Sequence, residues 1–390
     1  MRGASLLVAR RLAHEWPQTA ILVACLAVTV LLPLAGRLLL DRYSESLRQR
    51  ASATPLVVGA AGSPIELVLA SLYFEPAALP TIPYGEVLSL DAEADVLAVP
   101  LSLRFTARGH PVVGTRFDYF GRRGLRAASG SLLQRLGDCV LGARAARDLG
   151  VSTGDALFTD PREAYDLATA PPLKMLVRGV LEASGTPDDD AVFVDLRTAW
   201  ILEGLLHGHA DPVKLPEAAI LGRDGERIVL DEGIREYYEV REDNLAGFHL
   251  HGEESAMPIS AILVFPENDR IGTIIEARLD EPESRQAVRP ALVIDGLLAT
   301  VVRVKRLFDA ITVLLGTTTI LLAGLVIALS LRARRGEILV MQAMGASPWT
   351  VRRIVLGEVV AVLLAAATAG AIAAWAAAQA APDLVRFAMG

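Results

Sequence analysis

Four of the six histidines in this 390-residue chain fall in one stretch, as His207-Gly-His209 and His249-Leu-His251. Imidazoles two residues apart on a strand project to the same side, so each pair can present two nitrogens to one zinc-type ion. Asp211, Glu253 and Glu254 stand nearby as oxygen donors. The same residues also fit a polar surface insertion, because 39 residues separate the pairs. A second acidic group, Asp188-Asp189-Asp190, follows Gly185-Thr-Pro. Three acids can hold a cation, but Gly and Pro at this spacing favour a solvated turn between strands.

A third constellation is basic. Arg332, Arg334, Arg335, Arg352 and Arg353 face a single acid, Glu337, within 22 residues (332–353). On a helix, Ile338, Met341 and Gly345 share one face and Glu337, Met341 and Met344 an adjoining one. Methionine is an adaptable filler for a partner's groove, although a helix lying on a membrane surface would show similar residues. The chain contains no G-x-x-x-x-G-K-[ST], G-x-S-x-G, H-E-x-x-H or C-x-x-C. It therefore lacks the P-loop and the common nucleophile and metalloprotease motifs, so an energy source has to come from a partner.

The elements that carry these groups can be read from hydropathy. The chain is 52% hydrophobic, 21% charged, and has a mean hydropathy of +0.40. That is more apolar than an ordinary soluble protein. The excess sits in three runs, 18–36, 310–331 and 354–381, each long enough to cross a bilayer core of about 30 Å. The 18–36 run lacks an A-x-A cleavage site before Arg37 and stays apolar beyond Cys25, so it reads as a retained anchor. The arginine-rich loop should be cytoplasmic by the positive-inside rule. This places the N-terminus inside, together with an amphipathic surface segment around Leu6–His14, and the 41–309 region outside. In the third run, Ala366, Gly370, Ala374 and Ala378 recur every four residues. Small residues at that spacing allow close helix packing, although an Ala-rich helix also produces it by chance.

Between Asp41 and Arg306 there are 28 Lys+Arg and 40 Asp+Glu; the remaining 10 (38 − 28) and 5 (45 − 40) lie at the ends. An acidic central region argues against a nucleic-acid partner. Cys25 and Cys139 stand far apart in the chain and imply no disulfide framework. Strand-like runs occur at 55–58, 96–100, 139–141, 175–180, 191–194 and 259–265, and helical ones at 65–73, 144–149, 196–206 and 289–304. This mixture predicts an α/β or α+β domain of two subdomains. The resulting fold class is an integral membrane protein with three transmembrane helices and that domain between the first and second.

The segment Arg334-Arg335-Gly-Glu337-Ile338-Leu-Val-Met341-Gln-Ala-Met344-Gly345-Ala346-Ser347 resembles the R-R-x-E-I-x-x-L-x-A-x-G-A-S signature of FtsX-like permeases, the MacB/LolC type of ABC transporter subunit. Val140-Leu-Gly142, Leu149-Gly150 and Gly154-Asp155 resemble the pattern of the MacB-like periplasmic core domain, as do Gly179-Val-Leu and the Gly185–Val194 segment. The stretches 54–69 and 259–264 resemble a narrower branch with histidine-containing insertions, which fall where 207–251 lies here. The family pattern has a fourth helix; only eight residues follow Pro382, which fits a short variant or a truncated product.

The resemblance implies that residues 334–347 contact a separate ABC ATPase, so that ATP acts through the partner and the chain itself is not an enzyme. It implies the bacterial inner membrane, a second permease copy in a homo- or heterodimer, and a periplasmic or outer-membrane partner. The resulting organisation is an N-terminal segment (1–17), helix (18–40), periplasmic core (41–309), helix (310–331), coupling loop (332–353), helix (354–381) and tail (382–390). Two other readings stay open: a transmembrane regulator that moves no substrate, and a zinc-sensing or zinc-handling receptor.

Overall fold

A computed structural model describes residues 2–93, 95–132, 135–161, 172–208, 220–224, 227–230, 238–242, 244–250, 252–279, 284–333, 335–345 and 347–389. Two helices open the chain, α1 (Arg2–His14) and α2 (Trp16–Ser52). There follow β1 (Leu56–Ala60), α3 (Pro64–Tyr73), β2 (Ile82–Pro83), α4 (Gly85–Asp91), β3 (Val96–Ala107), β4 (His110–Thr115), α5 (Asp118–Arg123) and β5 (Ala127–Gly130). Next come β6 (Asp138–Leu141), α6 (Ala143–Leu149), β7 (Ala156–Phe158), β8 (Leu173–Leu181), a 3-10 turn (Pro187–Asp190), β9 (Val192–Asp195) and α7 (Leu196–Leu202). The region of the histidine pairs holds β10 (Leu206–Gly208), β11 (Ile220–Asp224), β12 (Arg227–Leu230), β13 (Tyr238–Glu239) and β14 (Phe248–Leu250). Then follow β15 (Pro258–Ile259), β16 (Ala261–Pro266), α8 (Asp269–Leu279), β17 (Arg285–Val288), α9 (Pro290–Ala333), α10 (Arg335–Ala343) and α11 (Pro348–Met389).

Two compact units result: a helical unit of Met1–Leu47 with Leu298–Gly390, and an α/β unit of Arg48–Leu297. In the α/β unit an 11-stranded mixed sheet runs in the order β13-β8-β6-β9-β4-β3-β16-β1-β17, with β5 and β7 also pairing β8. The twelve residues of β3 join its two halves. Val96–Leu101 pairs β16 and Ser102–Ala107 pairs β4. One sheet therefore runs through both halves, with an irregularity in the β3–β4 register between Ser102 and Phe105, next to where β3 changes partner.

Sequence pattern explains strand position. In β8, buried residues alternate with half-buried ones, which turns Lys174 and Arg178 outward and Met175 and Val177 inward. β6 is buried throughout and β9 nearly so, and their apolar stretches Cys139–Leu141 and Val192–Val194 fit strands covered on both faces. Trp200, Tyr119, Phe120 and Phe193 are fully buried, and Phe193 meets the Tyr119 and Phe120 rings at 5.5 and 5.3 Å.

The helices differ in extent from the apolar runs. α2 continues to Ser52, past Arg37, and α9 joins 289–304 to 310–331 in one helix. Helix propagation needs backbone hydrogen bonds rather than apolar side chains, so hydropathy marks only the lipid-compatible part. Conversely, the helix expected at 196–206 stops at Leu202, because Gly204 takes φ +77° and Leu206 starts β10. Among the described residues, two helices are long and apolar enough to cross a membrane, Trp16–Ser52 and Trp349–Ala377; Asp309–Leu322 is a shorter apolar stretch.

Candidate functional site

The arginine-flanked segment folds as two helices around a tight turn. Met344 donates its amide to the Val340 carbonyl at 3.0 Å, closing α10. Gly345 then takes φ +92°, a left-handed conformation that disfavours any residue with a Cβ. Ser347 caps α11, its hydroxyl accepting from the Thr350 amide at 3.3 Å, and Pro348 occupies the first helical position. The Gly-Ala-Ser of the signature is thus also a helix stop and a helix start.

Around this turn Leu339, Val340, Met344 and Trp349 are exposed, Met344 to 78%. The Arg353 guanidinium lies 5.6 Å from the centre of the Trp349 ring. Arg335 and Ser347 are exposed. Arg334 and Ala346 lie outside the described residues, as do the side chains of Glu337, Ile338 and Met341. Leu339 and Val340 add an apolar surface beside Met344 that sequence reasoning did not single out.

In α11, Ala366 and Ala374 are buried, and Gly370 lies where an added Cβ would come within 2.8 Å of the Ala27 carbonyl oxygen and 2.9 Å of the Val30 Cβ. Small residues therefore let α11 approach α2 closely, and Leu26, Val362 and Ala366 form a cluster there with Leu12, Leu22 and Val23. The Ala378 side chain lies outside the described residues. Elsewhere in the helical unit Arg37 pairs with Asp309 at 2.8 Å.

The acidic turn does not have the solvated surface expected of it. Asp188 and Asp189 are buried. Arg50 donates from Nη1 to Asp188 Oδ2 at 2.5 Å and from Nη2 to Oδ1 at 2.9 Å. The Tyr119 hydroxyl donates to Asp188 Oδ1 at 2.5 Å and the Thr186 hydroxyl to Oδ2 at 2.8 Å. Burial alone would raise the Asp188 carboxyl, but the Arg50 charge and these bonds outweigh it and hold it below the usual carboxylate range. Burial and the Asp188 charge push the Tyr119 phenol up. The protein's own guanidinium thus occupies the place a cation would take. Sequence reasoning missed this pair because its members lie 138 residues apart.

Neighbouring groups fix the same turn. Asp189 accepts from the Ser184 amide and hydroxyl and from the Gly185 amide, each at 2.8 Å, and Asp190 pairs with Arg144. A Cβ on Gly142 would lie 2.3 Å from the Asp188 carbonyl oxygen, so only glycine admits this approach of the start of α6 to the turn.

The histidine pairs are brought into register in part. His207 on β10 lies opposite His249 on β14. The His249 ring Nδ1 lies 3.0 Å from the Gly247 carbonyl oxygen. The His207 side chain, His209, Asp211 and His251 lie outside the described residues. Among the described residues no three of His, Cys, Asp and Glu gather as a metal-holding group. Glu254 pairs with Arg197 at 3.1 Å, and Glu253 accepts from Ser255 at 3.3 Å.

Residues 310–390, which contain this two-helix turn and the small-residue face of α11, match the model of the FtsX-like permease C-terminal domain. This stretch is thus similar to the C-terminal domain of FtsX-like permeases. No curated protein matches the chain at the level of sequence. Among solved structures, the periplasmic region of MacB from Actinobacillus actinomycetemcomitans is similar at 9% identity and a TM-score of 0.38, over 64% of this chain and 97% of that one. The extracellular domain of the ABC-type transporter YknZ from Gram-positive bacteria is similar at 13% identity and a TM-score of 0.34, over 60% of this chain and 98% of that one. Within the permease region the signature residues 335–345 form α10 and its left-handed stop, and Ser347 begins the following helix.

Proposed function

We propose that the chain is the membrane subunit of an ABC-type system in which a separate ATPase supplies the energy. The observation that carries this reading is the α10–α11 turn within the matched permease region, with Leu339, Val340 and Met344 exposed around it. An apolar, methionine-bearing surface flanked by arginines is suited to docking in a protein groove. ATP hydrolysis moves that turn, and the helices carry the displacement to the α/β unit. The chain sits in the inner membrane with three spanning helices, its N-terminus and the 332–353 segment inside and the α/β unit in the periplasm. The two halves of the sheet, joined at β3, act as its two subdomains. The working assembly contains two permease copies and the ATPase, together with a periplasmic or outer-membrane partner.

Cysteine labelling of intact cells tests this topology, in a Cys25→Ser background because Cys25 is exposed and unpaired. An impermeant maleimide should modify Ser152→Cys and spare Ser347→Cys. The reverse pattern would refute the orientation and with it the coupling role.

A second reading concerns metal, and the register of His207 against His249 favours it. Residues opposite each other on antiparallel strands have Cβ atoms about 5 Å apart on one face, close enough for two imidazoles to share an ion at about 2.0–2.1 Å. His207 and His249, with His209 and His251, would hold zinc or a similar ion in the periplasm. Zinc titration of the full chain beside a variant with all four replaced by Ala decides it: equal binding by the two proteins would reject the site.

A further inference from the structure

α2 ends with its last turn inside the α/β unit, and Arg50 of that turn is buried there, with 6% of its side chain exposed against 1% for Asp188. Its guanidinium is held on three sides. Nε donates to the Leu72 carbonyl, Nη1 and Nη2 grip the Asp188 carboxylate as a fork, and Nη2 also meets the Tyr119 hydroxyl at 3.1 Å. The Phe74 ring stacks 5.6 Å from the guanidinium carbon and closes one side against water.

The acceptor is as firmly set as the donor. Asp188 belongs to the turn that leads directly into β9, a strand lying between β4 and β6. That turn is bound internally through Asp189, to α6 through Asp190 and Arg144, and to the junction of β6 and α6 through Gly142, whose amide donates to the Ala191 carbonyl at 2.8 Å.

A buried ion pair is a poor choice if only stability is required. Well-packed apolar residues of similar volume often stabilise as well or better, because two charges need not be taken out of water. A bidentate guanidinium–carboxylate pair adds direction. It fixes both distance and rotation, whereas apolar contact is non-directional. We infer that Arg50 is a positioning residue: through Asp188 it locks the last turn of α2, in position and in rotation, to the turn that begins β9. The inference deepens the coupling role proposed above and rests on it for its purpose, since a displacement of α2 would then enter the sheet at β9 without slack.

The test is a double substitution, Arg50→Met with Asp188→Leu, in the full chain carrying Cys25→Ser and Tyr119→Phe, the latter because the buried Tyr119 hydroxyl would otherwise lose both of its partners. Gln49 and Ser152, both exposed, are replaced by cysteine and spin-labelled, and the distance distribution between them is measured by pulsed electron resonance. The wild-type pair should give a narrow distribution. The double variant should lose that narrowness while its melting temperature is kept, a combination that a merely stabilising pair would not produce. Arg50→Lys, which keeps the charge but not the fork, should broaden the distribution as well. A double variant as narrow as wild type would overturn the inference, and so would broadening that appears only together with a loss of melting temperature. The comparison needs no ATPase, so a failure to find one would count against the coupling role and leave this test standing.

Discussion

Replacing Asp188 alone by alanine should be strongly destabilising, and the size of the effect follows from burial. Asp188→Ala leaves the Arg50 guanidinium in place, shielded from water, with two of its bonds gone, and it removes the acceptor used by Tyr119 and Thr186. Breaking a buried pair in this way costs about 3–5 kcal/mol, because one charge is left uncompensated. For a unit of this size each kcal/mol lowers the melting temperature by about 2–4 °C, so the expected fall is about 6–20 °C. Arg48→Ala is the control. Its partner Asp295 stands at 3.0 Å, but both side chains are at least half exposed, and such pairs contribute about 1 kcal/mol or less. Thermal unfolding of the full chain in detergent, followed by near-ultraviolet circular dichroism, compares the two. A shift for Asp188→Ala no larger than that for Arg48→Ala would refute the argument from burial.

The same carboxyl should give the unit an acid-sensitive limb. Its folded pKa is depressed, so its stabilisation is complete above the unfolded value of about 3.9 and is lost as pH falls through the lower folded value; Asp188→Asn should remove this limb from a melting-temperature profile over acid pH. Gly370→Val should weaken the α2–α11 contact by about 1–3 kcal/mol, read as a lower melting temperature of the full chain in detergent, whereas Gly316→Val, where an added Cβ meets nothing, should not. Gly345→Trp should abolish stimulation of a bound ATPase while the near-ultraviolet spectrum of the α/β unit is unchanged, because its left-handed φ bars a Cβ and the indole adds bulk beside the exposed Met344.

Much of the secondary structure is legible in the chain. The strand at 96–100 is the start of β3, the run at 175–180 lies within β8, and the helix at 144–149 is α6 with one residue added. Local periodicity suffices there because the burial of each face is set by residues close in sequence. Hydropathy understated α2, whose Arg37–Ser52 part is helical but mostly polar, whereas the helix expected at 289–304 was found and proved continuous with the apolar run that follows it in α9. The acidic turn was misread for a different reason. Nothing local to Gly185–Asp190 signals burial; the compensating charge arrives from Arg50, in the last turn of α2 beyond the apolar run. For the candidate site, the Gly345-Ala346-Ser347 signature was readable, but its role as a left-handed stop and a helix cap required the backbone angles. That His207 lies opposite His249 likewise depends on strand register, which two-residue spacing alone does not determine.

The central claim is that this chain works with an ATPase held at the α10–α11 turn. Its most direct test is purification of the tagged full chain from its native membrane in mild detergent, with ATP hydrolysis measured on the eluate and every co-eluting chain identified. The account predicts an ABC-type ATP-binding subunit in stoichiometric amount, with hydrolysis that is lost or unregulated when the bait carries Gly345→Trp or Glu337→Arg. An eluate with no ATP-binding subunit, or one whose recovery and hydrolysis are indifferent to both substitutions, would contradict it.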